Sequence, residues 1–203
     1  MRELCGSYAD LTESVRSGKL LDGCVPWELQ RRGYRTVALH GYKGEFYLRN
    51  IVWPRMGLSE LRFKKDFVSD KLCLGTFLGV CDSTLLNSAF ERLAQPEPTF
   101  VHVLTLNSHE PMPSKLIDQP CAGFGDMTTT GLVQAQARRV LCYLAENMLA
   151  GPYVRPVSVY VVGDHPPPLS RGLSEQTSRQ VPYLVVSTMP DRGSNSRADA
   201  VQQ

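Results

Sequence analysis

No apolar run in the sequence approaches the roughly 18 residues a membrane span requires, so this chain itself is expected to be soluble. A Gly-rich phosphate loop of the P-loop type is missing, and so is any long run of lysines and arginines. Twenty-two basic side chains against 20 acidic ones leave a net charge of +2, from which no strong attraction to nucleic acid is expected. There is no Cys-x-x-Cys pair, which argues against a zinc ribbon. No internal repeat occurs, and Met1-Arg2-Glu3-Leu4-Cys5 lacks the apolar centre of a signal peptide.

What remains is a chain of 203 residues with 42% hydrophobic and 21% charged content, the profile of a globular protein able to bury a sizeable core. Six cysteines are its most informative feature. Cys5 and Cys24 bracket one short segment, and Cys73 and Cys81 bracket another that encloses Gly75 and Gly79. Local disulfides fit this spacing and imply an oxidising compartment such as the periplasm or cell exterior; free buried thiols are the alternative. Cys121 lies in a Pro/Gly loop and Cys142 in a predicted helix, and their pairing is left open. Exported chemistry without an export signal leads to the expectation that this is part of a longer protein.

Residues 1–24 read as a loop-rich opening segment. Pro26 opens a short helix that Gly33 caps, and Tyr34 to Leu39 forms a strand ending at His40-Gly41. Residues 43–53 read as a helix or turn broken by Pro54, and Phe63 to Phe67 as a weak strand. Asp82 or Ser83 caps a helix to about Leu93, and Gln95-Pro96-Glu97-Pro98 breaks the chain. Thr99 to Leu106 is a core strand running into Asn107-Ser108-His109-Glu110-Pro111, followed by a long loop over 111–129. Thr130 caps an amphipathic helix whose Val133, Ala137, Val140, Leu141, Leu144 and Met148 share one face, and Gly151-Pro152 ends it. Val159 to Val162 reads as a buried strand that leaves the sheet at Gly163 and delivers Asp164-His165. A last strand over 182–188 precedes a polar tail, 191–203, of disordered composition.

Alternating helices and strands of this kind build α/β sheets whose ligand sites gather at the carboxyl edge. His40, His109 and Asp164-His165 each follow a strand, so all are expected at that edge, whereas His102 lies mid-strand and is set aside. An Asp oxygen beside a His nitrogen suits zinc or manganese.

Gly33-Tyr34-Arg35-Thr36, Leu39-His40-Gly41-Tyr42 and Phe46-Tyr47-Leu48-Arg49, followed by Asn107-Ser108-His109-Glu110-Pro111 and Val162-Gly163-Asp164-His165, resemble in content and order the sulfatase-like branch of the alkaline phosphatase superfamily. The groups most alike are lipoteichoic acid synthases and the phosphoethanolamine or phosphoglycerol transferases of bacterial envelopes. The resemblance spans roughly residues 25–190. It implies an α/β three-layer sandwich with a mostly parallel sheet, incomplete at its N-terminus, with residues 1–190 forming the carboxyl-terminal part of the catalytic domain.

The resemblance implies that Asp164 and His165 bind a divalent metal, zinc or manganese, and that His109 lies beside the transferred phosphate as donor or acid. His40 and Arg49 would face the phosphate or its head group, with Tyr47 at a position where some relatives carry tryptophan. The implied partners are a phospholipid head-group donor and a glycan or lipid acceptor, on the periplasmic or outer face of the inner membrane. These enzymes use a metal-activated threonine or serine nucleophile. It normally lies shortly before a stretch like Arg2-Glu3-Leu4-Cys5, so it is expected upstream of Met1, as is a further acidic ligand. Ser7, Thr12 and Ser14 lie on the wrong side of that anchor. The parent protein is therefore expected to be a membrane-anchored transferase, and this chain alone to bind metal weakly with little activity. Sulfate or phosphate ester hydrolysis and an inactive binding module are the alternatives.

Overall fold

In the computed structural model the described residues are 2–5, 11–68, 72–73, 77–107, 109, 140–148, 151–163 and 183–188. The chain divides into two compact units, Met1–Arg155 and Pro156–Gln203. In the first unit the opening segment, expected to be loop-rich, carries two short helices, α1 (Arg2–Cys5) and α2 (Leu11–Ser17). Its apolar residues are sparse, yet Leu4, Cys5, Val15 and Leu21 pack against the main core, and a Cys5–Cys24 disulfide ties it down. Tertiary packing stabilises helices too short to hold alone.

Helix α3 (Val25–Arg31) starts with Pro26 in its first turn, as expected. Gly33, at φ +82°, turns the chain out, with its N–H on Gln30 O at 2.9 Å and the Tyr34 N–H on Leu29 O at 3.0 Å. Strand β1 (Arg35–His40) follows and is buried continuously from Thr36 to His40. After a 3₁₀ turn at Phe46–Leu48 comes α4 (Arg49–Arg55), which takes in Pro54 one residue before its end. Strand β2 covers Glu60–Arg62. The strand expected over 63–67 is instead a 3₁₀ turn, Lys64–Asp66, because the Asp66 carboxylate accepts the Phe63 N–H at 2.8 Å.

Strands β3 (Leu72–Cys73) and β4 (Gly79–Val80) form an antiparallel pair closed by a Cys73–Cys81 disulfide, so both predicted local bridges form. Helix α5 spans Asp82–Leu93, and β5 spans Thr99–Leu104. The expected strand to residue 106 stops at 104, because the Leu106 and Asn107 amides turn away to the Asp82 carboxylate. Residues 140–148 are helical, as predicted for that part of the long helix; its expected start lies outside the described residues.

The sheet has the order β2-β1-β5, all parallel, with Ala38 opposite both Leu61 and His102. Successive side chains point to opposite faces, so β1 serves two cores. Ala38 joins Trp53, Met56, Leu58 and Phe63 on the face covered by α4, with Phe100 and Leu104 of β5. Val37 and Leu39 pack with Val101, Val103 and Ala89 of α5 on the other. Helices on both faces of a parallel sheet make the three-layer α/β arrangement the sequence implies. Each large side chain fully buried here stabilises the fold by about 1.5–3 kcal/mol. At the amino edge, Glu60 accepts from Arg92 of α5 at 2.7 Å and from Arg35 of β1. Burial pushes its pKa up, but these two guanidinium bonds outweigh that and hold it below the ordinary carboxylate range.

The second unit contains β6 (Ser158–Val162) and β7 (Tyr183–Ser187), an antiparallel pair in the register Tyr160–Val185. The sequence predicts a buried strand over Val159 to Val162. Instead β6 alternates half-buried and exposed positions, with Tyr160 71% exposed, as in a sheet with one face open.

The carbonyl of Gly41, just past β1, accepts the Val80 N–H at 2.9 Å, and a Cβ there would lie 2.7 Å from Val80 O. Its neighbour is backbone and cannot swing aside. The Gly41→Ala variant should lose roughly 1–3 kcal/mol of stability, measured by chemical denaturation; an unchanged midpoint would show that the two segments can separate at no cost.

Candidate functional site

The parallel pairing of β1 with β5 brings the carboxyl ends of both strands to one edge, and His40 and His109 with them. Their environments differ sharply. His40 is 1% exposed, its ring edge-on to Trp53 at 6.1 Å between centroids. Nδ1 lies 3.0 Å from Leu104 O. A carbonyl only accepts, so Nδ1 carries the hydrogen and Nε2 presents a lone pair. Nε2 is buried and has no hydrogen-bond partner among the described residues. The His40 pKa is lowered to about 4: burial is the main cause, the bond to Leu104 opposes it, and the Arg49 charge adds a smaller push. The ring is neutral at pH 7.

His109 is exposed. Its N–H bonds Leu106 O at 3.1 Å, and its ring meets Phe77 edge-on at 5.2 Å. Phe77 in turn lies 5.2 Å from Phe46 and 5.0 Å from Tyr42. The 3₁₀ turn that carries Phe46 continues through Tyr47 (φ 56°) and Leu48 (φ 53°), two successive left-handed residues without a glycine. Such conformations cost about 1–3 kcal/mol each and collect at working sites. The turn leaves Tyr47 76% exposed and starts α4 at Arg49. The Arg49 guanidinium bonds Phe46 O at 2.9 Å and stacks over the Phe46 and Tyr47 rings at 5.5 and 5.2 Å. A planar cation is thus held by one carbonyl and two ring faces.

Of the predicted residues, Arg49, Tyr47 and His109 therefore share one aromatic-lined surface through Phe46 and Phe77, and the Arg49 charge reaches His40 behind it. His102 meets Trp53 edge-on at 5.5 Å. Asp164 and His165 lie outside the described residues. Among those described, no group of three His, Cys, Asp or Glu side chains could hold a metal. The Asp164-His165 donor set, a carboxylate oxygen and an imidazole nitrogen, fits zinc or manganese by its chemistry. Sequence reasoning missed Phe77, Asp82 and Asn107. Phe77 carried one signal, its place inside the Cys73–Cys81 loop.

In parallel α/β sheets ligands bind at the carboxyl edge, where the pairing of β1 with β5 brings His40 and the segment leading to His109. The chain belongs to the sulfatase family, whose model, described as Sulfatase, matches residues 22–189. Its fold is that of the alkaline phosphatase superfamily. A protein of that superfamily from Vibrio parahaemolyticus matches with a TM-score of 0.61 at 20% identity, over 80% of this chain and 40% of that one. The Listeria monocytogenes lipoteichoic acid synthase LtaP matches with a TM-score of 0.61 at 18% identity, over 87% and 48%. The Streptococcus pyogenes phosphoglycerol transferase GacH, solved with sn-glycerol-1-phosphate, matches with a TM-score of 0.56 at 20% identity, over 76% and 44%. The chain spans less than half the length of each of these three. No curated protein matches it by sequence.

The buried neutral His40 predicts a pH dependence. Above pH 6.5 both folded and unfolded rings are neutral and its contribution is complete. As pH falls the unfolded chain takes a proton that the native ring refuses until about pH 4, so stability declines across that window. Urea unfolding at pH 4.5 should show a loss of about 2–3 kcal/mol attributable to this ring, absent in His40→Asn. Equal pH slopes for the two proteins would refute the assignment.

Proposed function

We propose that the chain is part of a metal-dependent envelope phosphotransferase that moves a phosphoglycerol or phosphoethanolamine group from a phospholipid onto a glycan or lipid acceptor. The observation that carries this reading is the shared surface of Arg49 and His109, a fixed planar cation and an exposed imidazole joined through Phe46 and Phe77. Arg49 binds the anionic oxygens of the transferred group with a bidentate fork. His109, beside the phosphate, acts as donor or acid toward the leaving or entering oxygen. His40 is neutral, and its buried Nε2, without a partner among the described residues, accepts rather than donates; once uncovered it would suit a hydroxyl or ammonium of the head group better than a phosphate oxygen. Tyr47 offers an exposed ring face to the same group.

Asp164 and His165 are assigned the divalent metal, zinc or manganese, which when bound supplies Lewis-acid stabilisation of the phosphoryl charge. The chain spans less than half the length of its structural neighbours, and in this reading the nucleophile and a further acidic ligand belong to the rest of a longer, membrane-anchored parent, so that this chain alone has little or no transferase activity. An oxidising, envelope-facing location accords with the Cys5–Cys24 and Cys73–Cys81 bridges. No helix among the described residues is long and apolar enough to cross a membrane.

The test is turnover of a phospholipid donor by the parent protein. Arg49→Ala should lower kcat/KM by about 10²–10³-fold, and Arg49→Lys should recover little of it, since a point charge cannot replace the fork. Asp164→Ala should abolish turnover; unaltered turnover would reject the metal assignment. Release of free head group with no acceptor product would favour an ester hydrolase instead.

A further inference from the structure

Two residues before His109 the chain is held by a buried carboxylate that no step above uses. Asp82 is the first residue of α5 and 1% exposed. Its Oδ1 accepts the Leu106 N–H at 2.8 Å and its Oδ2 the Asn107 N–H at 3.0 Å. Asn107, also 1% exposed, answers with its own Oδ1, which accepts the Asp82 N–H at 2.8 Å. Leu106 then passes the restraint on, because its carbonyl takes the His109 N–H at 3.1 Å.

Burying a carboxylate costs more than burying an apolar side chain of the same volume unless every oxygen is bonded. An acid at this place could have served its own helix, where the preceding residue, Cys81, makes no side-chain cap. Both oxygens instead bond the amides that leave β5. This restraint ends the strand at Leu104 and aims the next residues out of the sheet. On its other side the His109 ring meets the Phe77 ring edge-on. The Cys73–Cys81 bridge immediately before Asp82 anchors both partners, since Phe77 lies inside that loop.

We propose that Asp82, with Asn107, is a positioning residue that sets where the His109 imidazole stands at the phosphate-handling surface. The inference rests on the role given to His109 under the proposed function, but its test is independent of that role. The test is read by NMR on the chain without added phosphate, so a failure of the phosphate reading leaves the result intact.

In Asp82→Asn one acceptor oxygen becomes an NH2 that faces a backbone N–H. Amide exchange at Leu106 and Asn107 should quicken by about tenfold or more, and the His109 ring protons should lose the ring-current shift set by Phe77. Amides of Thr36 to Leu39 in β1 should exchange as before. If Asp82→Asn does not fold, Asn107→Ala removes one of the three bonds and leaves the carboxylate charged and paired. It should move the His109 ring signals in the same direction by a smaller amount. His109 ring signals that stay in place in the folded variant would overturn the proposal, even if the neighbouring amides exchange faster.

Discussion

Burial of β1 on both faces is the constraint from which the rest of the first unit follows. A strand with water on neither side cannot alternate polar and apolar residues, and Thr36 to His40 all lie inside. Its neighbours must be parallel strands, since helices have to cover both faces, and each crossover returns the chain over the sheet. That geometry sends every strand's carboxyl end to one edge, where loops are free to carry chemistry. It also carries His40 inward with the strand. The ring is held by Leu104 O and Trp53, neutral, with one nitrogen unpaired among the described residues.

The surface in front of that edge is supported from behind rather than built of its own contacts. Gly41 lets β4 approach within backbone hydrogen-bond distance, and the Cys73–Cys81 bridge holds β4 to β3. This brings Phe77 between His109 and Phe46. The strained turn at Tyr47 and Leu48 then delivers Arg49 onto the same rings. Aromatic edges and faces supply shape here, so the cation and the imidazole sit close to solvent without being loose.

Local signals were legible where one residue type has one physical use. Pro26 could only begin a helix, Gly33 could only end it, and a run such as Thr99 to Leu104 could hardly be anything but a strand. The same signals failed where distant groups decided the outcome. Asp66 folds back on Phe63 and converts a weak strand into a turn, and Asp82 ends β5 two residues early. The opening helices are stabilised by a core that their own residues barely announce.

By itself the sequence determined the class of chain, the order of its motifs, the spacing that allows two local disulfides and the polar side chains that follow its strands, because each depends on residue identity or short spacing. Tertiary structure decided that Phe77 joins Phe46 to His109, that His40 is buried against Leu104 while His109 is exposed, and that Asp82 holds a segment 24 residues away. These are contacts between segments far apart in the chain. Their formation depends on which faces the sheet buries, and no local pattern encodes that.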